Sequence, residues 1–227
     1  MTTFVLVHGA FHGAWCWYKL ATLLEARGHS VIAIDLPGHG RNRVSAPPPT
    51  LQGYVDHVTD LLRGAAEPVV LVGHSMGGAV ITGAAEAAPE KVSKLVYLAA
   101  SLGPSGRAIV EDPPASPAGD GFMPVMENAV DAFYHDCPAE DAMLARLCLT
   151  PQARAPLMAR VVWTKERWGQ VPSAYIGCTL DRVLTIADQR ERAGSFPGMQ
   201  WVELESGHSP FFSMPERLTE TLADLAR

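Results

Sequence analysis

Nowhere in the 227 residues do Lys and Arg gather into a basic run, and 18 of them face 24 Asp and Glu, for a net charge of −6. A nucleic-acid partner is therefore not expected, because phosphate binding needs a clustered positive surface. Long apolar runs are missing too. None approaches the roughly 20 residues that cross a bilayer, so no membrane span is expected. Met1-Thr2-Thr3 leads straight into "FVLVHG" without a basic stretch or small-residue cleavage site, so no secretory signal is visible and a cytoplasmic location is expected. Cysteine is scarce and scattered at Cys16, Cys137, Cys148 and Cys178, with no C-x-x-C spacing. That excludes a disulfide framework and makes reduced thiols the expectation, with Cys137–Cys148 the one pairing to weigh. No Walker lysine follows "GHSMGG" and no G-x-G-x-x-G follows a strand, so neither a nucleotide nor any other cofactor is implied.

What is present is the composition of a globular chain, 48% hydrophobic and 19% charged. Its length suits one well-buried domain, residues 1–227. Short β-rich runs alternate with helical patterns. "TFVLVH" (3–8), "HSVIAIDLPG" (29–38), "PVVLVG" (68–73), "VSKLVYLAA" (92–100), "SAYIGCT" (173–179) and "MQWVELE" (199–205) read as six strands. Helices are expected over 15–28, 51–64, from Met76 onward, and over 213–227, where Ser213 and Glu216 have capping-box spacing. Strands apolar on both faces, separated by amphipathic helices, predict a parallel sheet covered on both sides. Residues 101–172 break the alternation with a Pro- and Gly-rich stretch and short helical pieces around 123–135, 139–148 and 151–159. They are read as a cap inserted after the fourth strand, over the strand ends. "SAPPPT" (45–50) is a loop.

The chemistry is concentrated at the strand ends, where parallel sheets bind ligands. In "VVLVGHSMGGAV" Ser75 follows a strand and precedes a helix-compatible run, with glycines at 73, 77 and 78. A serine hydroxyl is a poor nucleophile unless a base takes its proton and an acid orients that base. A tight strand-to-helix turn would lift Ser75 above the sheet, and the next N–H, that of Met76, would face a developing oxyanion. A plain glycine-rich connection is the alternative on this segment alone. The order Ser, acid, His needs an acid past a late strand and a His past the last one, and Asp181 and His208 stand there. Asp188 and Glu191 are rival acids set within a helix. In "HGAFHGAW" (8–15) the N–H of Ala10 would be the second oxyanion donor, with Phe11 the alternative by one position. His8 and His12 have metal-pair spacing but lie in a Gly-containing loop, so packing and hydrogen bonding are expected of them and no metal site. His74 is expected to make a structural polar contact. Trp15, Trp17, Trp163, Trp168 and Phe211 are candidates to line an apolar pocket, with ordinary core packing as the alternative.

These motifs carry a resemblance. "FVLVHGAFHGAWCWYKL", "GHSMGG", "FYHDCPAEDAMLARLCL" and "SGHSPFFSMPERL" resemble the α/β-hydrolase superfamily over essentially the whole chain. Within it they are similar to the branch of plant methylesterases, hydroxynitrile lyases and small bacterial carboxylesterases, pyrethroid-hydrolysing ones included. The resemblance implies an α/β-hydrolase fold with a six-stranded parallel core, helices on both faces and a helical cap. It also implies Ser75, Asp181 and His208 as a triad, Ala10 and Met76 as oxyanion donors, and a small ester as substrate. Phe11, Trp163, Trp168 and Phe211 are the residues expected to contact it. Hydroxynitrile lyases of this branch carry a hydroxyl residue in place of Gly9 and a Lys in place of Ser209, so hydrolysis is expected over cyanohydrin cleavage. A ligand-binding homologue that keeps a triad but turns over slowly is the other alternative. The oligomeric state is left open, a homodimer included.

Overall fold

The computed structural model describes residues 1–43, 47–109 and 121–227; the first part of "SAPPPT" and most of the Pro/Gly-rich stretch after Gly106 lie outside them. The chain order is β1 (Thr3–Val7), α1 (Tyr18–Ala26), β2 (Ser30–Ile34), α2 (Leu51–Gly64), β3 (Val69–His74), α3 (Gly77–Ala87) and β4 (Val92–Leu98). Then come β5 (Arg107–Ala108), β6 (Phe122–Met123), α4 (Ala129–Tyr134), α5 (Ala139–Cys148), β7 (Gln152–Ala153), α6 (Arg154–Met158) and β8 (Arg160–Val161). The chain finishes with β9 (Ser173–Cys178), α7 (Ile186–Gly194), β10 (Gln200–Leu204), α8 (Pro210–Ser213) and α9 (Pro215–Leu225).

Six strands form one sheet in the order β10-β9-β4-β3-β1-β2, with every neighbouring pair parallel. β3 is buried along its whole length because helices cover both faces, which is why it reads as a continuous apolar run. One face packs Val5, Val7, Leu71, Leu95 and Tyr97 under α2 and α3. The other packs Phe4, Leu6, Val72, Val96 and Ile176 under α1 and α9. In α2, Leu51, Tyr54, Val55, Val58 and Leu62 make the buried stripe, and the Thr50 hydroxyl caps its start by accepting from the Gly53 N–H at 3.0 Å.

Between β4 and β9 the expected helical pieces are present as α4, α5 and α6. Two short antiparallel pairs, β5–β8 and β6–β7, join them and were not expected. At two residues a strand they are too short to carry an alternating pattern. The capping box expected at Ser213 does not form. Met214, which precedes Pro215, adopts φ −141° and breaks α8 from α9, as the residue before a proline is pushed out of the helical region. The Ser213 hydroxyl bonds that of Ser206 at 2.6 Å instead.

Candidate active site

β3, β9 and β10 are parallel, so the loops that follow them emerge on one rim. Ser75 comes directly after β3, Asp181 three residues past the end of β9, and His208 four past the end of β10. Ser75 adopts φ +51°, a left-handed conformation that a non-glycine residue holds only when its surroundings impose it. Here the imposing bonds run from the Ser75 N–H to Leu98 O (3.2 Å), and from the Ser101 and Gly78 N–H groups to Ser75 O (2.9 and 3.0 Å). The turn is tight enough that a Cβ on Gly77 would lie 2.7 Å from the Val7 carbonyl oxygen. The result is a strand–turn–helix elbow with Ser75 at its apex, where α3 begins.

Asp181 and His208 are buried, and the His208 Nδ1–H donates to Asp181 Oδ2 at 2.7 Å. The other carboxylate oxygen, Oδ1, accepts from the Val183 and Leu184 N–H groups at 2.7 and 3.0 Å. Gln189 Nε2 approaches Oδ2 at 3.3 Å. Both oxygens are thus committed, and His208 Nε2 makes no bond to the described residues. The rival acids stand apart. Asp188 takes the Thr185 hydroxyl at the exposed start of α7, and Glu191 is exposed on the same helix.

The loop after β1 lies against the elbow. A Cβ on Gly9 would stand 2.8 Å from Ser75 Cβ and 3.0 Å from His74 Nδ1, so only glycine fits without displacing the serine. Gly9→Ala is accordingly expected to displace Ser75, and to lower about 100-fold any turnover that runs through it, the cost of shifting a group by about an ångström. Steady-state kinetics would check this, and unchanged turnover would contradict the close packing.

The Phe11 N–H donates to the buried Gln152 Oε1 at 3.3 Å, whereas the N–H groups of Ala10 and Met76 find no acceptor among the described residues. His8 makes the hydrogen bonds expected of it: Nδ1–H donates to Gly9 O (2.8 Å) and Nε2 accepts from the Leu36 N–H (3.1 Å). In a trans peptide the carbonyl and N–H point oppositely, so gripping Gly9 O also aims the Ala10 N–H. His12 likewise donates from Nδ1 to Ala10 O (2.6 Å) and accepts the Tyr134 hydroxyl at Nε2 (2.5 Å). Burial holds both imidazoles neutral, His8 well below the ordinary range and His12 at about 3. His74 makes the expected structural contact, its Nε2–H donating to the His208 carbonyl at 2.8 Å.

The aromatic candidates divide. Phe11, at φ +67°, tilts against Phe133, whose ring centroid lies 5.7 Å from that of His208. Phe211 is fully buried against Trp17 and His74, and Trp15 stacks on His12. Trp163 and Trp168 are brought together with Phe196 on the α3 side, where the Trp168 indole donates to the Tyr97 hydroxyl. They line a cavity of about 590 Å³ beside one of about 430 Å³, and neither is lined by Ser75, Asp181 or His208. Gln152 was missed by sequence reasoning. Nothing local marks it, since its partners Phe11 and Tyr54 lie 141 and 98 residues away.

The fold and this rim define a class, and the comparison with known families agrees: the chain belongs to the alpha/beta hydrolase family, whose model matches residues 4–221. Among individual proteins, it is 34% identical to the pyrethroid hydrolase of Sphingobium wenxiniae, over all of this chain and 88% of that one. The crystal structure of the methylesterase MES16 from Arabidopsis superposes with a TM-score of 0.88 at 31% identity, covering 99% of this chain and 98% of that one. The chain spans 64% of the length of a chloroplastic relative from Arabidopsis thaliana, to which it is 32% identical over 99% of its own length. Among the described residues no helix is long and apolar enough to cross a membrane.

Proposed function

We propose that this chain is a cofactor-free serine carboxylesterase acting on small apolar or aromatic esters. The observation that carries the reading is the buried 2.7 Å Asp181–His208 bond, on the same rim as a serine held at φ +51° before a helix. In this mechanism His208 Nε2 takes the Ser75 proton as Oγ attacks the ester carbonyl. The N–H groups of Ala10 and Met76 receive the oxyanion, Met76 aided by the positive end of α3. The C–O bond to the alcohol then breaks, and the alkoxide leaves with the proton from His208. Water next attacks the acyl-enzyme, giving its proton to His208, and Ser75 recovers its hydrogen as the acid departs. Asp181 holds the imidazole in the tautomer that every step requires.

The described part of residues 101–172 acts as the cap of this single domain and sets substrate size, with Phe11 and Phe133 offering the acyl group an apolar wall. The relatives named a pyrethroid hydrolase and a methylesterase support the same chemistry. A cytoplasmic location is supported by four cysteines that all remain unpaired thiols. Cyanohydrin cleavage is disfavoured by the lack of room for a side chain at Gly9 and of a cation at Ser209, whose buried hydroxyl has no partner. A fluorophosphonate tests the reading. One adduct on Ser75, with loss of phenyl-ester turnover and no action on mandelonitrile at any stage, is the expected result. Turnover that survives complete labelling of Ser75 would sink the mechanism.

A further inference from the structure

The geometry points to Asp136, in the link between α4 and α5, as a positioning residue that sets the orientation of His208. This deepens the proposed mechanism and rests on His208 acting as its base. The loop that carries His208 is buried from Ser206 to Ser209 and is gripped peptide by peptide. The Ser206 carbonyl accepts from the Leu180 N–H at 2.9 Å, one residue before Asp181. Across the same peptide, the Gly207 N–H donates to Asp136 Oδ2 at 2.6 Å, and the Ser206 hydroxyl approaches that oxygen at 3.4 Å. Beyond the base, His74 holds the His208 carbonyl. The acid-bearing loop, the cap segment and the elbow thus each hold one point of the base loop.

Asp136 supplies the hold on which the residue before the base depends. A glycine next to His208 leaves the backbone free to swing unless something removes that freedom. Gly207 lies so close to this link that a Cβ there would stand 2.5 Å from Asp136 Oδ1 and 2.7 Å from His135 Cε1, and both side chains would have to shift to admit it. The approach that crowds out a side chain is therefore the one that takes the glycine's freedom away. No cation pairs with Asp136 among the described residues: its short bond is the one from the Gly207 N–H to Oδ2, with the Ser206 hydroxyl farther off and the Cys137 thiol at 3.7 Å from Oδ1. Charge-assisted bonds of this kind are the stronger ones, and truncating the acceptor would leave a buried N–H unsatisfied. The link is itself fixed at its α4 end, where Tyr134 bonds His12 and the Phe133 ring faces His208.

The test is a small set of variants assayed on a phenyl ester, with melting temperatures measured alongside. Asp136→Ala is expected to lower kcat about 30- to 100-fold with KM within about threefold, since the base is misplaced while the acyl site is untouched. Asp136→Asn keeps an oxygen for the Gly207 N–H and is expected to stay within about threefold of the parent. Gly207→Ala should match the Asp136→Ala loss by pushing the contact apart from the other side. The double variant should lose less than the product of the two single losses, because removing the carboxylate takes away the nearer of the two groups that the new Cβ meets and leaves only His135 Cε1. Parental kcat in Asp136→Ala, an equal loss in Asp136→Asn, or additive losses in the double variant would each overturn the proposal. Should Asp136→Ala melt below the assay temperature, the other two single variants decide: Gly207→Ala slow with Asp136→Asn near the parent supports it, and any other pairing overturns it. The fluorophosphonate result judges the esterase reading separately, so each idea can fail alone.

Discussion

Asp181→Asn is expected to lower kcat for ester hydrolysis about 10,000-fold, with Ser75→Ala at least as severe, while KM changes little. The asparagine effect follows from how the two carboxylate oxygens are used. Oδ1 accepts two backbone N–H groups, from Val183 and Leu184, and Oδ2 accepts the His208 Nδ1–H. An asparagine must keep its carbonyl oxygen toward the two backbone donors, because turning the NH2 to them would oppose donor to donor. Its NH2 then faces His208 and donates to Nδ1, which moves the imidazole proton to Nε2. A ring protonated at Nε2 has no lone pair with which to accept the serine proton. Near-isosteric geometry is kept and the tautomer is wrong. The double variant Ser75→Ala/Asp181→Asn should be no slower than Ser75→Ala alone, since residues that act as a unit are not additive. Kinetics on a phenyl ester, with circular dichroism melts as the folding check, decide the matter. An Asp181→Asn enzyme within tenfold of the parent would remove Asp181 from its assigned role.

How much of this was legible in the residues depends on the reach of each interaction. Most strands and α2 could be read because their signal is local: the apolar runs FVLV, VIAI, VVLV and LVYL, and a 3.6-residue stripe closed by Thr50 and Gly64. The order Ser75, Asp181, His208 was legible because each follows its own strand, and parallel strands deliver their ends to one rim. What could not be read are contacts that join distant segments. Gln152 under Phe11, His74 on the His208 carbonyl and Asp136 on Gly207 bridge 141, 134 and 71 residues, and none alters the local pattern around either partner. The tryptophans mark the same limit. Trp163 and Trp168 read as pocket material by type, but the α3-side packing with Phe196 and Tyr97 follows from tertiary arrangement alone.

The buried histidines predict the response of stability to acid. His8, His12 and His74 are almost wholly buried, and burial is the largest cause lowering each pKa below 6.5, with neighbouring histidine charge adding to it. Hydrogen bonding agrees, for His8 and His12 each need one bare nitrogen to accept, from the Leu36 N–H and the Tyr134 hydroxyl. The sign follows. Above about pH 7.5 these rings are neutral in both states and contribute almost no pH dependence. Below it the unfolded chain binds protons that the folded chain refuses, so stability falls as the solution is acidified, until the folded pKa is reached, about 3 for His12. Each ring adds a slope of up to about 1.4 kcal/mol per pH unit, so the three together remove about 4 kcal/mol between pH 7 and 5.5. Against a total stability of roughly 5–15 kcal/mol that is a large fraction, and it should appear as a marked drop in the urea midpoint with little change in slope. A midpoint that stays flat from pH 7.5 to 5 would mean that these rings accept protons in the folded state. The loop after β1 would then lose its grip as well, because the Nε2 acceptors that anchor His8 and His12 would be gone.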